Sequence, residues 1–141
     1  MDHVIQNVVG AIRLSMMDKF SSYNQVAMHL EDMEKSTFTT PWGMFMYNKM
    51  SFGLINLGAT FQRVMDISFV GAKYKLIFIY LDDMTVYSIS DEGHLKHLRQ
   101  TFVKCHKYGL SLNPKKSHFS MEESKLMGYI VSKDGVKIYP E

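Results

Sequence analysis

Residues 75–89 read KLIFIYLDDMTVYSI, and this stretch decides the fold. Two runs rich in β-branched and aromatic residues flank a double acid, Asp82-Asp83. That pattern is a hairpin signature. Two adjacent carboxylates between apolar flanks repel each other, and water, a raised pKa or cations must compensate. Taken alone, the pair also reads as a solvated turn. A third acid, Asp18, follows another apolar run, AIRLSMM (residues 11–17), read as a short strand ending at Asp18. If the strands are neighbours, three carboxylates meet at one end of a sheet. Oxygen ligands of this kind suit Mg²⁺, which keeps several waters and binds through a few carboxylates plus substrate phosphates.

The neighbouring segments extend the pattern. SSYNQ is a turn and HLEDMEK a polar helical turn. FTTPWGMFMYNKM reads as two strands joined at Pro41-Trp42-Gly43. Asn56 is placed to cap a helix running to about Val70. Leu57, Phe61, Met65 and Ser68 share one face, and Gly71 is the stop. Asp91 is placed to cap the next helix, with an apolar stripe of Leu95, Leu98, Phe102 and Cys105 and with Gly109 just past its end. Asn113-Pro114 and Asp134-Gly135 are turn dipeptides between short strands. Antiparallel hairpins interleaved with two long helices predict an α+β fold, a sheet with helices packed on one face.

Composition sets bounds. The chain has 141 residues, 46% hydrophobic and 21% charged. This is one domain's worth of ordinary globular sequence. The longest apolar run, Leu76–Leu81, is six residues, far short of the roughly 20 a membrane-spanning helix needs. No membrane association is expected. The N-terminus lacks the apolar core of a secretory signal. The single cysteine, Cys105, excludes an internal disulfide and fits a reducing, intracellular setting, cytoplasmic or nuclear. The net charge is +2, too small to announce a nucleic-acid binder. Its distribution is uneven: net −1 over residues 1–90 and +3 over residues 91–141. Solvated helix faces account for that, as does a mildly basic surface beside an acidic site.

Tyr80-Leu81-Asp82-Asp83 with its β flanks resembles the catalytic motif of reverse transcriptases. Four further blocks follow the same family in order. LSMMDKFSSYNQVAM (14–28) resembles the first acidic motif of Ty3/gypsy-type long-terminal-repeat retrotransposon polymerases. EKSTFTTPWGMFMYNKMSFGLINLGATFQRVMD (34–66) resembles their central block. HLKHLRQTFVKCHKYGLSLNPKKSHFS (94–120) resembles the helix and loop after the active site, and KLMGYIVSKDGVKIYP (125–140) the primer-grip segment. Five collinear blocks, from about Ile12 to Glu141, are far more specific than any one.

The resemblance implies a palm subdomain of a right-hand polymerase spanning residues 1–141, with part of the fingers. It places most of the fingers before this stretch and the thumb, connection and RNase H domains after it. The implied activity is RNA-directed DNA synthesis by two-metal nucleotidyl transfer, on an RNA or DNA template with primer, using deoxynucleoside triphosphates. Asp18, Asp82 and Asp83 would hold two Mg²⁺ ions, for which Mn²⁺ can substitute. Tyr23 would stand under the sugar and exclude a 2′-hydroxyl; its other reading is a core tyrosine. Phe52 and Gly53 would flank the nascent base pair, Gly53 letting backbone approach the nucleotide. Lys116 would meet the departing pyrophosphate as a charge or proton donor; its other reading is one of a solvated lysine pair. Leu126, Met127, Gly128 and Tyr129 would hold the primer terminus; the other reading is core packing. The remaining Pol polyprotein domains are the implied partners.

The sequence also departs from the family. Ser51 replaces a usual Pro, Ile55 a basic residue and Leu57 a small Ala, which raises the prospect of overpacking beside Phe52 and Gly53. Lys19 and Ser22 stand where plant members often have Gly. Two other readings stay open: an inactive relic or nucleic-acid-binding palm module, and a template-independent palm-type enzyme such as a nucleotide cyclase.

Overall fold

The computed structural model describes residues 2–19, 22–73, 75–80 and 82–138. A helix α1 (Asp2–Val8), not foreseen from the sequence, leads into β1 (Arg13–Lys19). A 3₁₀ turn (Ser22–Gln25) and helix α2 (Leu30–Lys35) follow, then strands β2 (Phe38–Thr40) and β3 (Gly43–Phe45). Helix α3 (Leu57–Ser68), strands β4 (Ile77–Tyr80) and β5 (Asp83–Ser88), and helix α4 (Asp91–Lys107) form the centre of the chain. Strands β6 (Leu112–Met121), β7 (Glu123–Leu126), β8 (Tyr129–Ser132) and β9 (Gly135–Ile138) complete it.

The strands make three antiparallel sheets: β4-β5-β1-β6, the ribbon β2-β3, and β7-β8-β9. The central sheet is buried on both faces by alternation. Met17, Ile77, Ile79, Met84 and Val86 face α3 and α4, where they pack on Phe61, Met65, Phe69, Leu98 and Cys105. Leu14, Phe78 and Tyr87 face the other way, onto Val8, Ala11, Leu126 and Val131. The helices thus cover one face, as expected, while α1 and the β7-β8-β9 sheet cover one end of the other. Arg13 ties these parts together, its guanidinium donating to Asp91 at 2.6 Å and to Glu122 at 3.1 Å.

Helix α3 buries Leu57, Phe61, Met65 and Ser68, the face expected from its period. Asn56 occupies the N-cap position but makes no side-chain capping hydrogen bond. Leu57 is accommodated as a buried first residue, and Gly53 keeps its left-handed turn at φ 96°, so the expected overpacking does not occur. In α4 the cap is Ser90, whose hydroxyl accepts from the Gly93 N–H, rather than Asp91. The buried face is also rotated. It carries His94, Leu98, Thr101 and Cys105, while Leu95 and Phe102 are exposed. His94 is drawn inward by Ser15, at 2.6 Å between Nε2 and Oγ. Gly109 follows the helix with φ 66°, as expected of a C′ glycine.

Asn113-Pro114 is not a turn between strands. It lies inside β6, an edge strand, where a proline costs no ladder bond with a further neighbour. Its turn chemistry appears as a bulge. The Lys115 N–H donates to Asn113 Oδ1 and the Ser117 hydroxyl to the Asn113 carbonyl, and the β1–β6 register shifts between Met16 and Asp18. Among the described residues no helix is long and apolar enough to cross a membrane.

Candidate active site

Strand pairing brings the distant acids together. On β1 and β5 the register runs from Arg13↔Ser88 to Met17↔Met84, so the next step sets Asp18 across from Asp83. Met17 and Met84 point into the helix-covered core; by alternation Asp18 and Asp83 point to the other face. Asp18, Asp82, Asp83 and Lys116 line one cavity of about 320 Å³ together with Met16, Met17 and Met84. Leu81, the remaining motif position, lies outside the described residues, as do the last residues of the C-terminal block.

The electrostatics follow from this placement. Burial raises the Asp83 carboxyl above its ordinary range; Lys19 opposes the rise, and Asp82 and Asp18 add to it. Lys116 Nζ sits 3.9 Å from Asp18 Oδ2, mostly in solvent, a distance at which an exposed pair contributes little. The Asp18 backbone N–H donates to the Ser117 hydroxyl at 3.3 Å.

Tyr23 stands beside the acids. Its ring packs edge-on against Phe61 and Phe52, each at 5.3 Å between centroids. Its phenol is raised by burial, then by the charge of Asp82 and a hydrogen bond to it. Tyr23 thus packs on the edge of the helix-covered core, beside Phe61. Phe52 is largely exposed and joins the site through Tyr23. Gly53 instead lines a separate cavity of about 720 Å³, with Leu57, Met50 and Val64.

The Leu126–Tyr129 segment lies elsewhere. Leu126 and Tyr129 pair across a two-residue turn, in which Met127 and Gly128 have φ of 50° and 84°, the conformation of a type I′ hairpin. Leu126 is buried in the core with Leu14 and Val131. Its side chain packs as the core-packing reading has it. The turn itself, Met127-Gly128-Tyr129, is what the hairpin presents.

One residue at the site was noticed in the sequence only as a departure. Lys19 is 4% exposed, and its Nζ lies 4.9 Å from the centroid of the Phe61 ring. Burial pushes the ammonium down to about 8, against the pull of Asp82, Asp83 and Asp18. The alternation that sends Met17 to the helix-covered face was the available signal, because it puts position 19 on the same face.

The donor set can be tested against a hard divalent cation. Among the described residues no three acidic, histidine or cysteine side chains are grouped so that they could hold a metal ion by themselves. Three carboxylates nonetheless open into one cavity, and Mg²⁺-like ions bind through one or two carboxylates completed by water and substrate phosphate. The donor chemistry, carboxylates beside open space for water and phosphate, fits such an ion.

The profile of the family "Reverse transcriptase (RNA-dependent DNA polymerase)" matches residues 2–131. This chain belongs to the reverse transcriptase family. The transposon 412 Pol polyprotein of Drosophila melanogaster is 30% identical over 96% of the chain and 11% of its own length. That of transposon opus is 34% identical over 89% of the chain and 12% of its own length. The Tf2-3 polyprotein of Schizosaccharomyces pombe is 27% identical over 95% and 10%. The chain thus spans about a tenth of the length of these Ty3/gypsy-type relatives. In fold, the reverse transcriptase chain superimposes on the foamy viral protease-reverse transcriptase in complex with RNA/DNA hybrid. The TM-score is 0.83, with 19% identity over 96% of this chain and 18% of that one. A complex of the foamy viral enzyme with double-stranded DNA gives 0.84, at 19% identity over 96% and 24%. Members of the family use divalent metal ions.

Proposed function

We propose that this chain is the palm of an RNA-directed DNA polymerase and that Asp18, Asp82 and Asp83 hold two Mg²⁺ ions, with Mn²⁺ as a substitute. The observation that carries the reading is one cavity lined by Asp18 of β1, Asp83 of β5 and Asp82 in the turn before it, with Lys116 beside them. When bound, the ions supply charge neutralisation for a triphosphate and activation of a hydroxyl. The primer 3′-hydroxyl gives up its proton to solvent and bonds to the α-phosphorus of a deoxynucleoside triphosphate. The bond to the β-phosphate breaks and pyrophosphate leaves.

The chain's own residues serve this step as follows. Asp18 of β1, Asp83 of β5 and Asp82 in the turn before it would hold the ions, and strand pairing sets Asp18 opposite Asp83 before substrate arrives. Tyr23, braced by Phe61 and Phe52, presents a flat wall where a ribose 2′-hydroxyl would fall. Lys116 offers positive charge, and a proton, on the side where pyrophosphate departs. Met127, Gly128 and Tyr129 form the exposed turn that would carry the primer terminus. Template and primer, deoxynucleoside triphosphates and the further domains of a Pol polyprotein are the partners in this reading.

Primer extension on an RNA template with Mg²⁺ or Mn²⁺ tests it, using the chain alone and joined to fingers and thumb segments. Asp82→Asn or Asp83→Asn is expected to remove all extension, and signal that survives both would end the proposal. Salt-dependent duplex binding without extension in any of these forms would favour the binding-module reading.

A further inference from the structure

Helix α4 carries two apolar stripes. One faces inward and buries Leu98 and Cys105. The other faces out: Leu95 is 68% exposed, Val103 62% and Phe102 42%. With Leu98, Arg99 and His106 these side chains line a surface depression of about 490 Å³. Phe119 of β6, also exposed, extends it through an edge contact with Phe102 at 6.3 Å between centroids. Glu92, Leu95, Arg99, Phe102 and His106 follow one another at alternating steps of three and four residues, the spacing of a seam along which two helices pack. A helix that is apolar on both sides has one side still to cover.

We propose that this outer seam is a self-association surface, on which a second copy of the chain packs its own α4 antiparallel. The charge along the helix selects that occupant. Asp91 and Glu92 lie in the first turn, and Lys104, His106 and Lys107 in the last. An antiparallel copy sets the acidic end of each helix against the basic end of the other, twice over by two-fold symmetry. A parallel copy would set like charges together. Asp91 is already held by Arg13, so Glu92 carries this contact. The helix dipoles also oppose each other in the antiparallel pair. Pairing Leu95 with His106 brings Arg99 of each copy over Phe102 of the other, a cation on a ring face. A seam about 25 Å long is small beside the roughly 1,000 Å² of a stable interface, so the dimer forms only at high concentration. Asp18 and Asp83 point to the sheet face away from α4, and the pairing leaves the carboxylate cavity open.

Sedimentation equilibrium of the 141-residue chain tests this. The expected result is a monomer–dimer equilibrium with a dissociation constant on the order of 10–100 µM. Leu95→Glu, at an exposed site, should weaken it about tenfold or more. Val103→Glu carries the same expectation if Leu95→Glu loses the parent's circular dichroism spectrum. Glu92→Lys and Lys107→Glu should each weaken self-association about fivefold. An equimolar mixture of those two variants should return to the parent affinity, because every acid then meets a base again. Phe45→Lys, in the exposed β2-β3 ribbon, should change nothing. A chain that stays monomeric up to about 300 µM overturns the proposal, as does a dimer indifferent to both Leu95→Glu and Val103→Glu. A dimer lost in Phe45→Lys alone assigns association to the ribbon and overturns it too. A mixture that fails to recover overturns the antiparallel arrangement.

Discussion

The central sheet and the β2-β3 ribbon are built from the same kinds of residue and meet opposite environments. In the sheet, Leu14, Met17, Ile77, Phe78, Met84 and Val86 are almost fully buried. In and just after the ribbon, Phe38, Trp42, Met44, Phe45, Met46 and Tyr47 are all exposed. Phe38 rests on Tyr47 at 5.2 Å and stacks on Phe45 at 6.2 Å, a local aromatic cluster without a core beneath it. Apolar content therefore does not by itself decide burial. The sheet has two faces and a covering layer for each, whereas a two-stranded ribbon is too small to cover its own side chains.

Substitutions can break or sharpen that contrast. The largest effect is expected at Phe61, which touches the sheet, Tyr23 and Lys19. Phe61→Ala should cost about 3–5 kcal/mol in urea unfolding, and a loss below about 1 kcal/mol would mean that the helix-covered face is not the chain's main core. Next comes Leu126→Ala, about 2–4 kcal/mol. It asks whether the β7-β8-β9 sheet is energetically joined to β1 and α1, and a separate early transition in the variant would show that it is not.

The third effect depends on pH. His94 is buried, and its pKa is held below the ordinary value by that burial, then by His97 and Arg13, against Asp91. Its Nδ1 has no hydrogen-bond partner among the described residues. The unfolded chain binds this proton first as pH falls. The stabilisation is thus complete above about pH 6.5 and is lost as pH drops toward the lower folded value, by at most about 1.4 kcal/mol per pH unit. Denaturant midpoints from pH 7 to 5 should fall, and His94→Gln should flatten that limb. The smallest change is expected at Trp42, which is 87% exposed. Trp42→Ala should move stability by about 0.5 kcal/mol or less, and a larger loss would place the ribbon in the cooperative unit.

Much of this architecture was legible where period and burial agree. The β4-β5 hairpin and α3 each carry an unbroken apolar pattern, so their inward faces followed from spacing. Helix α4 was misread because hydrophobicity stood in for burial. His94 and Thr101 go inside once Ser15 and the His97 carbonyl give them partners, leaving Leu95 and Phe102 outside. Asn113-Pro114 was misread because an edge strand absorbs a turn dipeptide as a bulge. The site was legible as residue types and, through the family resemblance, as a set. The adjacency of Asp18 to Asp83 depends on β1 pairing with β5, a long-range choice that no local spacing encodes. The burial of Lys19 follows from parity once β1 is known to continue past Asp18.

The bulge in β6 has a mechanical corollary. Five residues, 113–117, run opposite a short stretch of β1, and a side-chain clasp from Asn113 to Ser117 gathers the surplus. Lys116 therefore sits within the register shift, not opposite a paired residue of β1. The lysine's place beside Asp18 is thus set by the surplus residues of the bulge and their hydrogen bonds to Asn113, not by ladder pairing.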